Sequence, residues 1–186
     1  MDPIPAETVK KTWKRMAGVS LSEGQKMVSR MSKEQPAVVT YLLTAGKDLL
    51  NEDERGLLFY VGLVVWQIML QGDAPLPRVT AAALEEAQRE NMGMLESLAG
   101  RSFSEVEEAV VRMLNDYNQQ EVLSYVVEAL TEEPEEGCLI REENTGLMML
   151  FLKTVIDCFD HQGREKQRKR RRRPRLTKQG ERDGGL

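Results

Sequence analysis

The sequence repeats itself in order along most of its length, and no fold is acceptable that does not accommodate two similar halves. Residues 16–31 (MAGVSLSEGQKMVSRM) align without a gap on residues 98–113 (LAGRSFSEVEEAVVRM). Identities fall at Ala17/Ala99, Gly18/Gly100, Ser20/Ser102, Ser22/Ser104, Glu23/Glu105, Val28/Val110, Arg30/Arg112 and Met31/Met113. Chance supplies about one identity in such a window, so a repeat is considered before any other architecture. After a two-residue adjustment, residues 35–43 (QPAVVTYLL) fall on 119–127 (QQEVLSYVV), keeping Gln35/Gln119, Val38/Val122 and Tyr41/Tyr125. A further insertion near residues 132–137 brings Gly56-Leu57 onto Gly146-Leu147, each opening an apolar run.

Strand signals are scarce, and no apolar/polar alternation flanks a hairpin turn, so the expected fold is all-α. The spacing predicts helices at about 6–17, 23–33, 36–45 and 52–71 in the first copy, and at 80–99, 105–117, 120–131 and 142–161 in the second. Two four-helix halves about a pseudo-twofold axis follow, forming a single helical domain over 1–163, with copies at about 6–71 and 80–161. The boundary between them is the Gly/Pro-rich stretch 72–77 (GDAPLP), which disfavours helix continuation. Ser104 with Glu107, Ser22 with Gln25, and Asn51 with Glu54 have capping-box spacing. Gly18 and Gly100 suit left-handed C-terminal caps, and Pro36 suits a first helical position. Residues 57–70 (LLFYVGLVVWQIML) are apolar nearly all round, which requires burial on most sides, with Trp66 in the core. In the second copy Lys153 and Asp157, four residues apart, interrupt the corresponding run, so one face there is expected to reach water and the first copy either to be the more enclosed or to supply an oligomer contact.

The net charge of −4 conceals two opposed parts. Residues 164–186 hold eleven Lys/Arg and three Asp/Glu, a net of +8, leaving 15 and 27 in residues 1–163, a net of −12. The basic residues Arg168, Lys169, Arg170, Arg171, Arg172, Arg173, Arg175 and Lys178 repel one another and lack an apolar face, so the tail is expected to be disordered. They are the candidate nucleic-acid contacts, through phosphate attraction without sequence preference. A membrane-surface or nuclear address, or a tail solvated against the acidic body, are the other readings. The acidic cluster Glu132, Glu133, Glu135 and Glu136 reads as a solvated loop able to hold a cation or the tail.

Chemistry-bearing motifs are few. Cys138 and Cys158 do not make a disulfide scaffold, and no Cys/His cluster has metal-ligand spacing. His161 is the sole histidine, so the paired Glu-x-x-His motifs of di-metal helical bundles are excluded. Walker, Rossmann, nucleophile-elbow and zinc patterns are absent, and no cofactor or metal is expected. Gln35, Tyr41, Gln119 and Tyr125 are groove candidates because both copies keep them, although a tyrosine anchoring a core and a glutamine capping a helix are the stronger explanation. Trp13, like Trp66, is expected to be a core anchor rather than an exposed hot spot, with partial exposure the other reading because its helix is short and basic. The longest apolar run falls short of a membrane span, and no secretory h-region opens the chain, so a cytoplasmic protein is expected, with a nuclear address the alternative if the source is eukaryotic. The function these features favour is that of a non-catalytic helical interaction protein, an adaptor or regulatory subunit, meeting a protein partner in inter-repeat grooves. The alternatives are a protein binding RNA or DNA through its tail, and an enzyme with a carboxylate site in the inter-repeat cleft.

Overall fold

The computed structural model describes residues 1–98, 105, 114–133 and 137–172, and among them every regular element is helical. The helices are α1 (Ala6–Ala17), α2 (Leu21–Glu34), α3 (Pro36–Thr44), α4 (Glu52–Met69), α5 (Ala81–Leu98), α6 (Gln120–Thr131) and α7 (Glu142–Arg172). Residues 114–116 are also helical. No described helix is long and apolar enough to cross a membrane. The second-copy helix expected at 105–117, with Ser104, Glu107 and Gly100, falls largely outside the described residues, as do Arg173, Arg175, Lys178 and the loop residues Glu135 and Glu136.

Local chemistry sets most boundaries. Asn51 and Glu54 form the expected capping box on α4, with Glu54 N–H donating to Asn51 Oδ1 at 2.9 Å and Asn51 N–H to Glu54 Oε2 at 2.8 Å. Pro36 occupies the first turn of α3, where a missing N–H costs nothing. The box on α2 is Ser20 with Glu23 rather than Ser22 with Gln25. Both serines stand three residues before a residue with a carboxylate or amide, but only Ser20 lies outside the helix with extended backbone (φ −66°, ψ 156°), as an N-cap must. Gly18 ends α1 at φ −98°, not in the left-handed region expected, because its N–H closes a tight turn onto Arg15 O. The left-handed glycine of the first half is Gly46, at φ +66° in the turn after α3.

The core is one contiguous cluster around α4 and α7. On α4, Leu58 and every residue of 61–69 are buried, Trp66 completely, as the all-round apolar pattern requires. Gly62 lets α3 lie against it: a Cβ there would stand 2.5 Å from Leu42 Cδ1. Residues 150–160 of α7 are equally enclosed, Lys153 and Asp157 included. The expected water-facing stripe is instead an internal polar seam, so the first half is not the more enclosed. The first helix of each half packs on the last, α1 on α4 and α5 on α7. The third does likewise, α3 on α4 and α6 on α7. Across the halves α1 meets α6, α3 meets α5 and α4 meets α7, and α4 also packs on α6. Helix α7 continues past the expected end near residue 161 as far as Arg172, carrying Arg168, Lys169, Arg170, Arg171 and Arg172 on helical backbone.

Candidate functional site

Three arrangements of polar or aromatic side chains stand out. The first is a pair of clamps made by the two repeated glutamines, each at an N-cap with nearly the same backbone (φ −132°, ψ 54° for Gln35; φ −104°, ψ 49° for Gln119). Gln35 Oε1 accepts from Val79 N–H at 2.9 Å while its Nε2 donates to Pro77 O at 2.8 Å. Gln119 Oε1 accepts from Ile4 N–H at 3.1 Å while its Nε2 donates to Asp2 O at 3.2 Å and to Asp160 Oδ1 at 3.2 Å. Each glutamine therefore holds the two-bond lead-in to the other half's first helix, and both are almost fully buried. Their amides are spent within the chain.

The second is the buried seam on α7. Lys153 Nζ donates to Asp157 Oδ2 and to Asn91 Oδ1, both at 2.7 Å, and Asn91 Nδ2 donates back to Asp157 Oδ2 at 2.9 Å. Tyr117 joins them, its hydroxyl donating to Asp157 Oδ1 at 2.7 Å while its ring centroid lies 5.0 Å from the Lys153 ammonium. Burial, followed by the nearby Asp157 charge, raises the Tyr117 hydroxyl far above its ordinary range, so it stays a donor. Burial also pushes the neighbouring Cys158 thiol up to about 12 and leaves it unreactive. A matched ion pair whose hydrogen bonds are made within the protein is a fixed internal structure, not an open site.

The third is an open cleft of about 940 Å³ between α1, α4 and α6, closed at one end by residues 138–140. Trp13, Leu57, Tyr60, Val61, Tyr125 and Ile140 form its apolar and aromatic floor. Glu52, Asp53, Glu128, Glu132 and Glu133 stand around its rim. Trp13 is half-buried, packed against the core at its margin rather than enclosed in it as a core anchor would be, and Tyr60 is 42% exposed. Asp53 also fixes the closing segment, accepting from Leu139 N–H at 2.9 Å. Beside it, Glu54 receives Arg141 through Nε at 3.0 Å and Nη2 at 2.7 Å, and Asn144 Nδ2 at 3.1 and 3.0 Å. The Arg141 hydrogen bonds hold the Glu54 carboxyl well below the carboxylate range, at about 2. That is the opposite of what a general acid at neutral pH requires. Among the described residues no group of three or more His, Cys, Asp or Glu is placed to hold a metal ion.

Of the four groove candidates, Tyr125 lines this cleft, whereas Gln35 and Gln119 serve as clamps. Tyr41 packs edge-on against Phe151, ring centroids 6.0 Å apart, and burial raises its hydroxyl to about 12. The Gly56/Gly146 register places Val61 opposite Phe151. Phe151 packs against Tyr41, whereas Val61 and Tyr125 both line the cleft. Sequence reading did not select Tyr60 or Glu128, which are spread over two helices distant in sequence. The available signal was the excess of acidic residues in the body. Comparison with protein-family models, with curated proteins and with solved structures returned no match.

Proposed function

We propose that the protein is a non-catalytic interaction module, an adaptor or regulatory subunit, whose binding surface is the cleft between α1, α4 and α6. Its partner on this reading is a Lys/Arg-rich helical segment of another protein. One observation carries the proposal: an exposed aromatic floor is ringed by carboxylates at a helix end where carboxylates are unfavourable. Glu128 lies in the last turn of α6, Glu132 is its C-cap and Glu133 follows, while that turn has no basic residue. A helix C-terminus favours cations, so each of these charges opposes the macrodipole by a few tenths to about 1 kcal/mol. A cationic occupant reverses the sign of that interaction. Guanidinium groups stack on Trp and Tyr faces, and the alkyl stems of Arg and Lys cover apolar floor.

The same reading takes the two halves as copies about a pseudo-twofold axis. The paired glutamine clamps, the matched helix contacts and the Tyr41/Tyr125 positions support it. Such a duplication supplies two inter-repeat grooves, and the one lined by Val61 and Tyr125 is the open cleft. The nucleic-acid alternative rests on the charge of residues 164–186, and the net of −12 on the remainder opposes it.

The test is fluorescence anisotropy with a labelled amphipathic Arg/Lys-rich helical peptide of unrelated sequence. The full chain should bind it, and Tyr60→Ala combined with Glu128→Lys should weaken binding at least about tenfold, the loss of one aromatic anchor and one charge at a desolvated contact. Equal binding by the variant overturns the assignment of the cleft.

A further inference from the structure

The geometry points to a second copy of this chain as an occupant of the cleft, through its own arginine-rich segment. This inference rests on the reading of the cleft as a receptor for basic helices. The complementarity lies within one sequence: the rim carboxylates Glu52, Glu128, Glu132 and Glu133 belong to a body of net −12, and residues 164–186 have a net of +8. In an aqueous surface groove such opposed charges steer association and set register.

Reach decides that the contact is between copies. Ile140, at the closed end of the cleft, lies two residues before α7, so the cleft adjoins the N-terminal end of that helix. The Glu54–Arg141 pair anchors this end, and Asp160, bonded by Asn118 and Gln119, is anchored near the opposite end of the body. Helix α7 then continues to Arg172. At 1.5 Å per residue, Arg168 and Arg172 are carried about 40–45 Å along the helix from its start, and so from the cleft of the same chain. As a continuous helix to Arg172, α7 leads away from its own groove and carries those arginines out of its reach. In a second copy running antiparallel, the basic end of α7 comes level with the cleft of the first, and the reverse holds for the other pair. Reciprocal exchange of this kind uses the same two surfaces twice and closes at a dimer. Since the partner peptide and the second copy compete for one groove, self-association would also regulate access to it.

A charge-swap experiment on the full chain tests the inference. One variant reverses the rim (Glu128→Lys, Glu132→Lys), a change the α6 dipole favours, so folding is retained. The other reverses the helix (Arg170→Glu, Arg171→Glu, Arg172→Glu). Sedimentation velocity at low salt should give a dimer for the unaltered chain and monomers for each variant alone. An equimolar mixture should restore a heterodimer through the reversed pair of surfaces, and raising the salt should weaken association of the unaltered chain about tenfold or more. The inference is overturned if the unaltered chain is monomeric at about 100 µM, a concentration at which Kd values of micromolar order are detected. It is also overturned if either variant still dimerises, or if the mixture stays monomeric. A monomeric chain that nevertheless binds the unrelated basic peptide removes the self-contact and leaves the proposed function intact; failure of both experiments removes both.

Discussion

Replacing Gln35 by leucine probes the repeat and the packing of the halves together, because one side chain of similar bulk is exchanged while two backbone groups in the opposite half lose their partners. Val79 N–H donates to Gln35 Oε1 and Pro77 C=O accepts from Gln35 Nε2, and both residues are buried. An orphaned buried polar group costs about 1–3 kcal/mol, so Gln35→Leu should destabilise the chain by about 2–6 kcal/mol. For a protein of this size each kcal/mol lowers Tm by about 2–4 °C, and a mid-range loss of about 4 kcal/mol gives about 8–16 °C. Gln119→Leu should fall in a similar range, about 2–5 kcal/mol. Asp2 is exposed and its carbonyl can turn to water, but buried Asp160 loses a donor as well. Urea denaturation followed by far-UV circular dichroism measures the loss. Hydrogen exchange locates it, with protection disappearing at Val79 in one variant and Ile4 in the other. A change under about 1 kcal/mol with both amides still protected would refute the clamp, since that is below the cost of even one orphaned group.

Two further outcomes follow from the buried charges. Lys153→Met removes the cationic partner of buried Asp157, which Asn91 and Tyr117 also contact, and should cost about 3–5 kcal/mol by chemical denaturation; an effect within about 0.5 kcal/mol, that of an ordinary surface substitution, would mean the seam is solvated. Glu54 has a folded-state value of about 2, below its ordinary 4.5, so the folded chain binds the fewer protons. Its contribution is full above about pH 4.5 and is lost as pH falls towards 2, and Glu54→Gln should flatten the stability profile over that window.

The fold was legible where one strong local pattern decided it. All-round apolarity in 57–70 dictated the burial of α4, the Asn51/Glu54 spacing dictated its start, and Pro36 dictated the start of α3. Register was lost where two solutions were chemically alike. Ser20/Glu23 and Ser22/Gln25 both fit a capping box, and only the backbone turn after α1 selects between them. Lys153 and Asp157 read as a solvent stripe because the hydrogen-bond partners that let the pair be buried, Asn91 and Tyr117, lie 62 and 40 residues away in sequence from Lys153 and Asp157 respectively. Of the cleft, Trp13 and the acidic cluster were noticed separately. That Tyr60, Tyr125 and Glu128 converge with them depends on the packing of α1, α4 and α6, which no linear spacing encodes.

Cys138 gives the most direct test of the cleft, because it lines the groove and is exposed, whereas Cys158 is buried with its thiol pushed up to about 12. Alkylation of the unaltered chain by iodoacetamide should therefore label Cys138 selectively. With a saturating Arg/Lys-rich helical peptide, the account predicts that Cys138 labelling slows severalfold and recovers when salt of about 0.5 M screens the rim. Peptide that binds while Cys138 reacts at its original rate would contradict the claim that the cleft is where basic segments dock.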